Sequence, residues 1–467
     1  MAGGALGSAF IPTFTGLLAK EEQKAAWKLA SSIANLVLLV MTSLSVLAAI
    51  FAPQVVRYIL APGFAVVNPA KELLTIQLLR IQIMSSVIFG LSGLIMGILN
   101  AHRSFLLPAL APSMYSFGWI LGVTILSKSL GIFGLAWGVV LGSILHLLIQ
   151  IPKLITLPKQ HYSLSFGLGE AYVQEVMRLM GPRLLGVAVV QLNFLLNTYL
   201  ASMQPEGSLT GISLAFPLMI MPQAAIAQSV AIAALPTFSA QAALGKLEEM
   251  RSSLSATLRG VLLLAIPATV GLVLLRKPLV ALIYQRGEFS VASTDLVAWA
   301  LLWYAVGLVG HSVVEVVARA FYALHDTKTP VFVGIAAMTL NLGLSLLFSA
   351  LFSSWGWLPH GGLALANSLA TAIEMAGLLY LMRRKLGGLG GRQIMQGVLL
   401  ACIGSAGMGV IIWALIVRFP NLSSLLVITG CVSLGGLVYA LLLLAFHTNE
   451  IHFVLRLIRS RLTRADK

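Results

Sequence analysis

The sequence predicts an all-α protein that crosses a membrane many times, as two lobes of parallel six-helix repeats followed by two further helices. Composition is the first ground. Of 467 residues, 58% are hydrophobic and only 10% charged, with a mean hydropathy of +0.95. Soluble proteins carry about 25% charged residues, and so little charge could not cover a soluble surface. The second ground is length: apolar runs reach about 20 residues, the distance a helix needs to cross a bilayer. Internal repetition is the third. Pro12-Thr13-Phe14 returns as Pro236-Thr237-Phe238, 224 residues on, and a short Lys/Glu stretch follows each copy, Lys20-Glu21-Glu22 and Lys246-Leu247-Glu248-Glu249. Pro53 and Phe64 match Pro278 and Phe289 at 225, Pro108 matches Pro330 at 222, and Gly134-Leu135-Ala136 matches Gly362-Leu363-Ala364 at 228. Landmarks repeated in one order indicate a chain built twice from one half, a common plan for transporters.

Thirteen membrane helices follow in order. In the first copy they span 1–19, which carries Pro-Thr-Phe; 29–53, closed by Pro53; 72–100; 106–127, with Pro108 near its start; and 131–152, which holds Gly134-Leu135-Ala136. The second copy spans 176–203, marked by Met180-Gly181-Pro182, then 209–236, 254–275, 291–322, 329–352 and 361–382. Two more, 394–417 and 421–446, trail it. Pro217, Pro222 and Pro267 fall inside spans, where neighbouring helices and polar side chains can satisfy the freed backbone groups. The domain plan is therefore a first lobe at 1–160, a second at 170–390, an extra helix pair at 393–446 and a basic tail at 447–467.

Orientation comes from the basic residues. Nineteen Lys and Arg fall on one side of these spans and seven on the other. The richer side, which includes Lys20, Arg103, Lys246, Arg383, Arg384 and the tail, is expected in the cytoplasm. In the tail, Ile451, Val454, Leu455, Ile458 and Leu462 alternate with arginines, as in an amphipathic helix lying on an anionic inner leaflet. This orientation starts the first helix outside although no cleavable signal is visible. In addition, the 176–203 helix has no counterpart in the first copy. The expectation is that an arginine-containing leading helix is encoded upstream.

Several function classes are set aside. The net charge of +15 is scattered over loops, which points to membrane orientation and not to nucleic acid. Cys402 and Cys431 lie in apolar runs and read as buried small side chains, with neither a metal site nor a disulfide indicated. No Gly-x-x-x-x-Gly-Lys-Ser/Thr stretch occurs. No catalytic constellation appears either, so neither an enzyme nor a cofactor is expected. A gradient, the membrane potential or a partner must drive any transport.

Specific stretches carry a resemblance. They are Gly4-Ala5-Leu6-Gly7-Ser8-Ala9-Phe10-Ile11-Pro12, Ile98-Leu99-Asn100, Pro108-Ala109-Leu110-Ala111-Pro112, Met180-Gly181-Pro182, Leu195-Leu196-Asn197-Thr198, Arg286-Gly287-Glu288-Phe289, Arg319-Ala320-Phe321-Tyr322-Ala323 and Asp326-Thr327-Lys328-Thr329-Pro330. Together they resemble the MurJ (MviN) lipid II flippase family of the MOP exporter superfamily, over essentially the whole chain. The resemblance implies a MATE-like two-lobe fold and a monomeric alternating-access flippase of the bacterial plasma membrane, serving peptidoglycan and cell wall biogenesis. Its cargo would be undecaprenyl-pyrophosphate-linked disaccharide-pentapeptide, moved from the inner to the outer leaflet, with the polyprenyl tail in a hydrophobic groove formed by the two trailing helices. The chain departs from the family where cargo charge is held. Ala215-Phe216-Pro217 stands where the family typically has Ala-Asp-Arg or a relative. That departure keeps two alternatives open: a flippase for another lipid-linked oligosaccharide, or a non-transporting scaffold.

Polar residues at membrane depth are the candidate site. Arg183, near the cytoplasmic end of its helix, and Arg80 are candidates for the pyrophosphate; snorkelling or anchoring at the interface is the structural alternative. Gln191, Asn193, Gln223 and Gln228 are candidates to line a polar cavity or to bond helix to helix. Glu315 and Arg319, four apart, can pair on one helix face that His311 extends, a candidate gating or coupling element. Asp326 is expected to cap the next helix, with a gate contact second. By the resemblance, Asn197 and Ser345, beside Asn341 and Asn367, occupy the places where sodium-linked members carry acids; they read as a polar remnant of an ion site, with hydrogen bonding from helix to helix as the structural alternative.

Overall fold

The computed structural model describes residues 2–158, 161–420 and 422–445; at 2–9, 66–67, 182–183, 185–187 and 189–190 it describes the backbone alone. The amphipathic tail predicted at 447–467 lies outside the described residues. Helices make up most of the described chain: α1 Ala2–Ala19, α2 Gln23–Ile50, α3 Pro69–Ala101, α4 Leu106–Leu130, α5 Ile132–Leu154, α6 Ala171–Ser202, α7 Ser208–Ala243, α8 Leu247–Tyr284, α9 Val291–Val306, α10 Leu308–Ala323, α11 Lys328–Ser354, α12 His360–Lys385, α13 Gly391–Arg418 and α14 Ser424–Ala445. Ten of these are long and apolar enough to cross a membrane among the described residues, and eleven if α9 and α10 count as one bent span. The sequence predicted thirteen. The two outside this count, α1 and α6, are helical but described only in part.

The span predicted at 291–322 is broken, with α9 and α10 meeting at 46°. At the break the Gly307 N–H donates to Tyr304 O instead of Trp303 O, which leaves the Trp303 carbonyl without its helical donor. Ser368 on α12 donates to that carbonyl at 2.6 Å. Gly307 is small enough for this approach, since a Cβ there would sit 2.5 Å from Ser368 Oγ.

The repeat appears in the backbone as well as the sequence. α1 ends with Glu22 N bonding Leu17 O around Glu21 at φ 62°, and α7 ends with Lys246 N bonding Gln241 O around Gly245 at φ 68°. Likewise Arg103 (φ 58°) after α3 and His325 (φ 57°) after α10 close their helices identically, 222 residues apart. These are left-handed helix ends of the Schellman type. They explain why the sequence offset drifts by only a few residues over each copy.

Two compact units form, 1–203 and 204–467. Aromatic Phe10 and Phe14 of α1 centre the first unit, stacked at 4.9 Å and packed with Trp27, Ile33, Leu94 and Ile98. Val173 and Val176 of α6 are fully buried in the same cluster. α6 therefore groups with the first unit, whereas the sequence plan opened the second lobe at 170. In the same unit α4 and α5 cross through Gly118, Gly122, Gly138 and Gly142, where an added Cβ would overlap the facing backbone. The second unit holds one core of α7, α8, α10 and α12 around Phe238, Leu254, Val317, Phe321 and Leu378. A second core, around Leu275, Met408, Cys431 and Tyr439, attaches α13 and α14 to α8. Cys431 is buried in that core, as the sequence suggested, whereas Cys402, expected to be buried as well, is exposed.

Candidate functional site

In the second unit the polar residues fall into four groups. On α10, His311 Nε2 lies 3.1 Å from Asn367 Oδ1 and 3.3 Å from Thr371 Oγ1, both on α12. Phe216 of α7 presents an edge to this imidazole and another to Tyr304. One turn along α10, Glu315 and Arg319 pair through one carboxylate oxygen, with the shorter bond 2.6 Å. Both are half-buried, and a pair on one helix of this kind is worth a few tenths of a kcal/mol when exposed. On α11, Ser345 donates to Asn341 at 2.9 Å, and both are buried. The four residues read as an ion-site remnant are thus divided by their bonds. Asn341 and Ser345 hold each other, Asn367 holds His311, and Asn197 on α6 donates to the carbonyl and side chain of Asn193. No carboxylate joins any of these bonds among the described residues.

The fourth group closes the α10–α11 turn. Asp326 accepts from the Thr329 N–H at 3.0 Å and from its hydroxyl at 2.8 Å, which caps α11 as the sequence suggested. It also accepts from Lys385 at the end of α12, at 2.6 Å. The Lys385 ammonium and the Thr329 N–H hold its carboxyl well below the usual carboxylate range, at about 2. This ties the ends of α10, α11 and α12 together.

Other predicted residues fall elsewhere. Arg80 is exposed and donates to Ala49 O in the last turn of α2 at 3.1 Å, so its charge meets the negative end of that helix. Arg183 lies in α6 with its side chain outside the described residues. Gln191 is exposed on α6. Gln223 and Gln228 bracket a π-helical turn at Ala224–Gln228, just past Pro222. Such turns relieve a helix that a proline has deprived of a donor and reposition the side chains around them.

An apolar groove completes the site. In the second unit it encloses about 480 Å³ and is lined by α7 (Leu218, Pro222), α8 (Pro267, Gly271), α13 (Met408) and α14 (Gly436) among others. Pro267 lacks an N–H, so it strands the Leu263 carbonyl four residues back. Tyr439 of α14 reaches across and donates to that carbonyl at 2.6 Å, which fixes α14 to α8 at its proline. The sequence expected the trailing pair to form a groove, and α8 and α7 share in its wall. A second apolar cavity, about 440 Å³, lies within the first unit between α2 and α6, lined by Ile33, Val37, Met41, Leu44, Met177 and Met180.

The sequence reading passed over two polar features. Ser92, His146 and Gln150 form a buried hydrogen-bonded triad in the first unit, with Ser92 Oγ 2.6 Å from His146 Nδ1 and 2.8 Å from Gln150 Nε2. Glu374, half-buried near the middle of α12, carries no hydrogen bond or ion pair among the described residues. The repeat itself could have found this last residue, because Glu374 follows Gly362 by the same twelve residues that separate His146 from Gly134.

Comparison with known proteins places this geometry. The sequence profile of the family "Lipid II flippase MurJ" matches residues 1–431. A Bdellovibrio bacteriovorus protein named "Probable lipid II flippase MurJ" is 30% identical over 410 residues, covering 87% of this chain and 76% of that protein. The Burkholderia cenocepacia "Lipid II flippase MurJ" is 29% identical over 389 residues, 82% of this chain and 74% of that protein. Among solved structures, "Lipid II flippase MurJ, inward closed conformation" superposes with a TM-score of 0.78 at 22% identity, over 96% of this chain and 89% of that one. A multidrug resistance MATE transporter of the MOP superfamily in an inward-facing conformation follows, with a TM-score of 0.68 at 15% identity over 83% and 87%. Family profile, relatives and fold agree along nearly the whole length: this chain belongs to the lipid II flippase MurJ family.

Proposed function

We propose that this chain flips lipid II across the bacterial plasma membrane and so serves cell wall biogenesis. Family membership over residues 1–431 carries the reading. The structure supports it through the apolar groove of α7, α8, α13 and α14, which suits a polyprenyl tail left in lipid while the polar head crosses. The C-terminus is cytoplasmic, by the excess of basic residues on that side. The basic tail engages anionic lipids, and the transporter works as a monomer. Arg183 and Arg319 meet the pyrophosphate or the gate that admits it, since guanidinium groups give phosphate its best-matched donors.

The test is rescue. A host whose own flippase is depleted is supplied with the full-length gene, and lipid II exposed at the outer leaflet is measured. Rescue of growth with restored exposure is expected; growth arrest with the protein present in the membrane would reject the reading. Arg183→Ala and Arg319→Ala should each reduce rescue, and normal rescue by both would remove these two residues from the site.

A further inference from the structure

We infer that Glu374 is a proton-binding site in the membrane-spanning part of the second unit. The duplication supplies an internal comparison. Gly134 and Gly362 occupy the same structural position, each so close to the preceding helix that an added Cβ would overlap its backbone. Counting twelve residues on from each gives His146 on α5 and Glu374 on α12. α3 and α10 are aligned by their left-handed ends, Arg103 and His325, which make Ser92 equivalent to Val314. Gln150 likewise corresponds to Leu378.

In the first unit the position is satisfied: His146 shares hydrogen bonds with Ser92 and Gln150. In the second unit both partners have been replaced by apolar side chains, and the titratable group is now a carboxyl. Leu378 is fully buried and Val314 is packed against the same core. Gly334 of α11 faces the acid, where an added Cβ would lie 3.5 Å from Glu374 Oε1. An uncompensated carboxylate at the centre of a membrane helix is costly, whereas a neutral acid is far less so. The chain has kept an ionisable group while removing what would hold it in one state. Binding one proton takes the side chain from −1 to neutral, and releasing it to water restores the charge.

Other charges near this point come from few elements. On α10 they are His311, the Glu315–Arg319 pair and Tyr322, whose hydroxyl lies within the fields of Glu315, Arg319 and Glu374 alike. α9 offers Tyr304 and Asp295, and Asp295 is already paired with Lys277. α7 has no titratable side chain, and α11 has only Lys328 at its cytoplasmic start. On α12 itself the others are His360, Tyr380, Arg383, Arg384 and Lys385, nearer its ends.

The test uses purified full-length protein in lipid vesicles and needs no cargo. Infrared difference spectra between about pH 5 and about pH 9 should show the carbonyl stretch of one protonated carboxylic acid, shifted in heavy water. Glu374→Gln should abolish that band, and His146→Gln should leave it in place. Val314→Ser restores a partner equivalent to Ser92 and should move the band, which keeps the idea testable if the glutamine variant does not fold. An unchanged band in Glu374→Gln, or no acid band at any pH, overturns the proposal. Because these spectra are independent of flipping, they stand or fall separately from the rescue experiment.

Discussion

Tyr439→Phe tests the link between the trailing helices and α8. The substitution removes one hydroxyl and keeps the ring that fills the core with Leu263, Met408 and Cys431. What is lost is the bond to Leu263 O, the carbonyl stranded by Pro267. Interhelical hydrogen bonds in membranes average about 0.6 kcal/mol, with larger values to about 1.7. A buried acceptor left unpaired costs about 1–3 kcal/mol in soluble cores. The two ranges estimate the same loss and overlap at about 1–2 kcal/mol, the cost expected for Tyr439→Phe. In a unit of this size that is roughly 2–4 °C of thermal stability for each kcal/mol, measurable by scanning fluorimetry of the detergent-purified protein. The decisive measurement is the double variant. Pro267→Ala returns an N–H that can take the Leu263 carbonyl within the helix, so Tyr439→Phe should then cost less than about 0.5 kcal/mol. If Tyr439→Phe costs the same with and without Pro267, the tyrosine is not answering the proline and the account of this joint fails.

Other outcomes follow from the same geometry. Gly271→Leu projects into the open groove, where a Cβ meets nothing within 4 Å; it should leave folding intact and reduce rescue of a flippase-depleted host by about tenfold or more if the polyprenyl tail uses the groove. Gly362→Ala drives a Cβ into the Phe348 backbone and should destabilise by more than about 2 kcal/mol, whereas Gly260→Ala, with open space around it, should be neutral or stabilising by up to about 1 kcal/mol; denaturation curves of the two compare them directly. Asp326 is held at about 2 by Lys385 and Thr329. Its contribution is therefore full above the unfolded carboxylate value near 4 and lost as pH falls through about 2. For a pair this exposed it amounts to about 1 kcal/mol, and Asp326→Asn should flatten the fall in stability between about pH 4 and about pH 2 relative to the parent.

How far the sequence reached depends on what each feature needs to be seen. Period and composition reveal helices because a bilayer demands long apolar stretches, and the turn at Asp326 was legible because a side-chain cap is local. The repeat, too, could be read without coordinates, and the left-handed pairs Glu21/Gly245 and Arg103/His325 show that its landmarks mark equivalent backbone turns. The break at Gly307 was invisible because it depends on Ser368, 61 residues away, supplying a hydroxyl to a carbonyl that has lost its donor. The Tyr439–Leu263 joint was hidden for the same reason, since it spans 176 residues. The four polar residues at the places where sodium-linked relatives carry acids each take a partner, Asn341 with Ser345, Asn367 with His311 and Asn197 with Asn193, and sequence position alone cannot say which side chain satisfies which. Glu374 lies outside the places where the resembling family carries acids, at a position that the repeat marks, twelve residues past a shared glycine. There, one copy keeps a bonded histidine and the other an unbonded acid. A duplicated chain can be read against itself, and a position where one copy has lost the partners that the other retains is where stability has ceased to explain the residue.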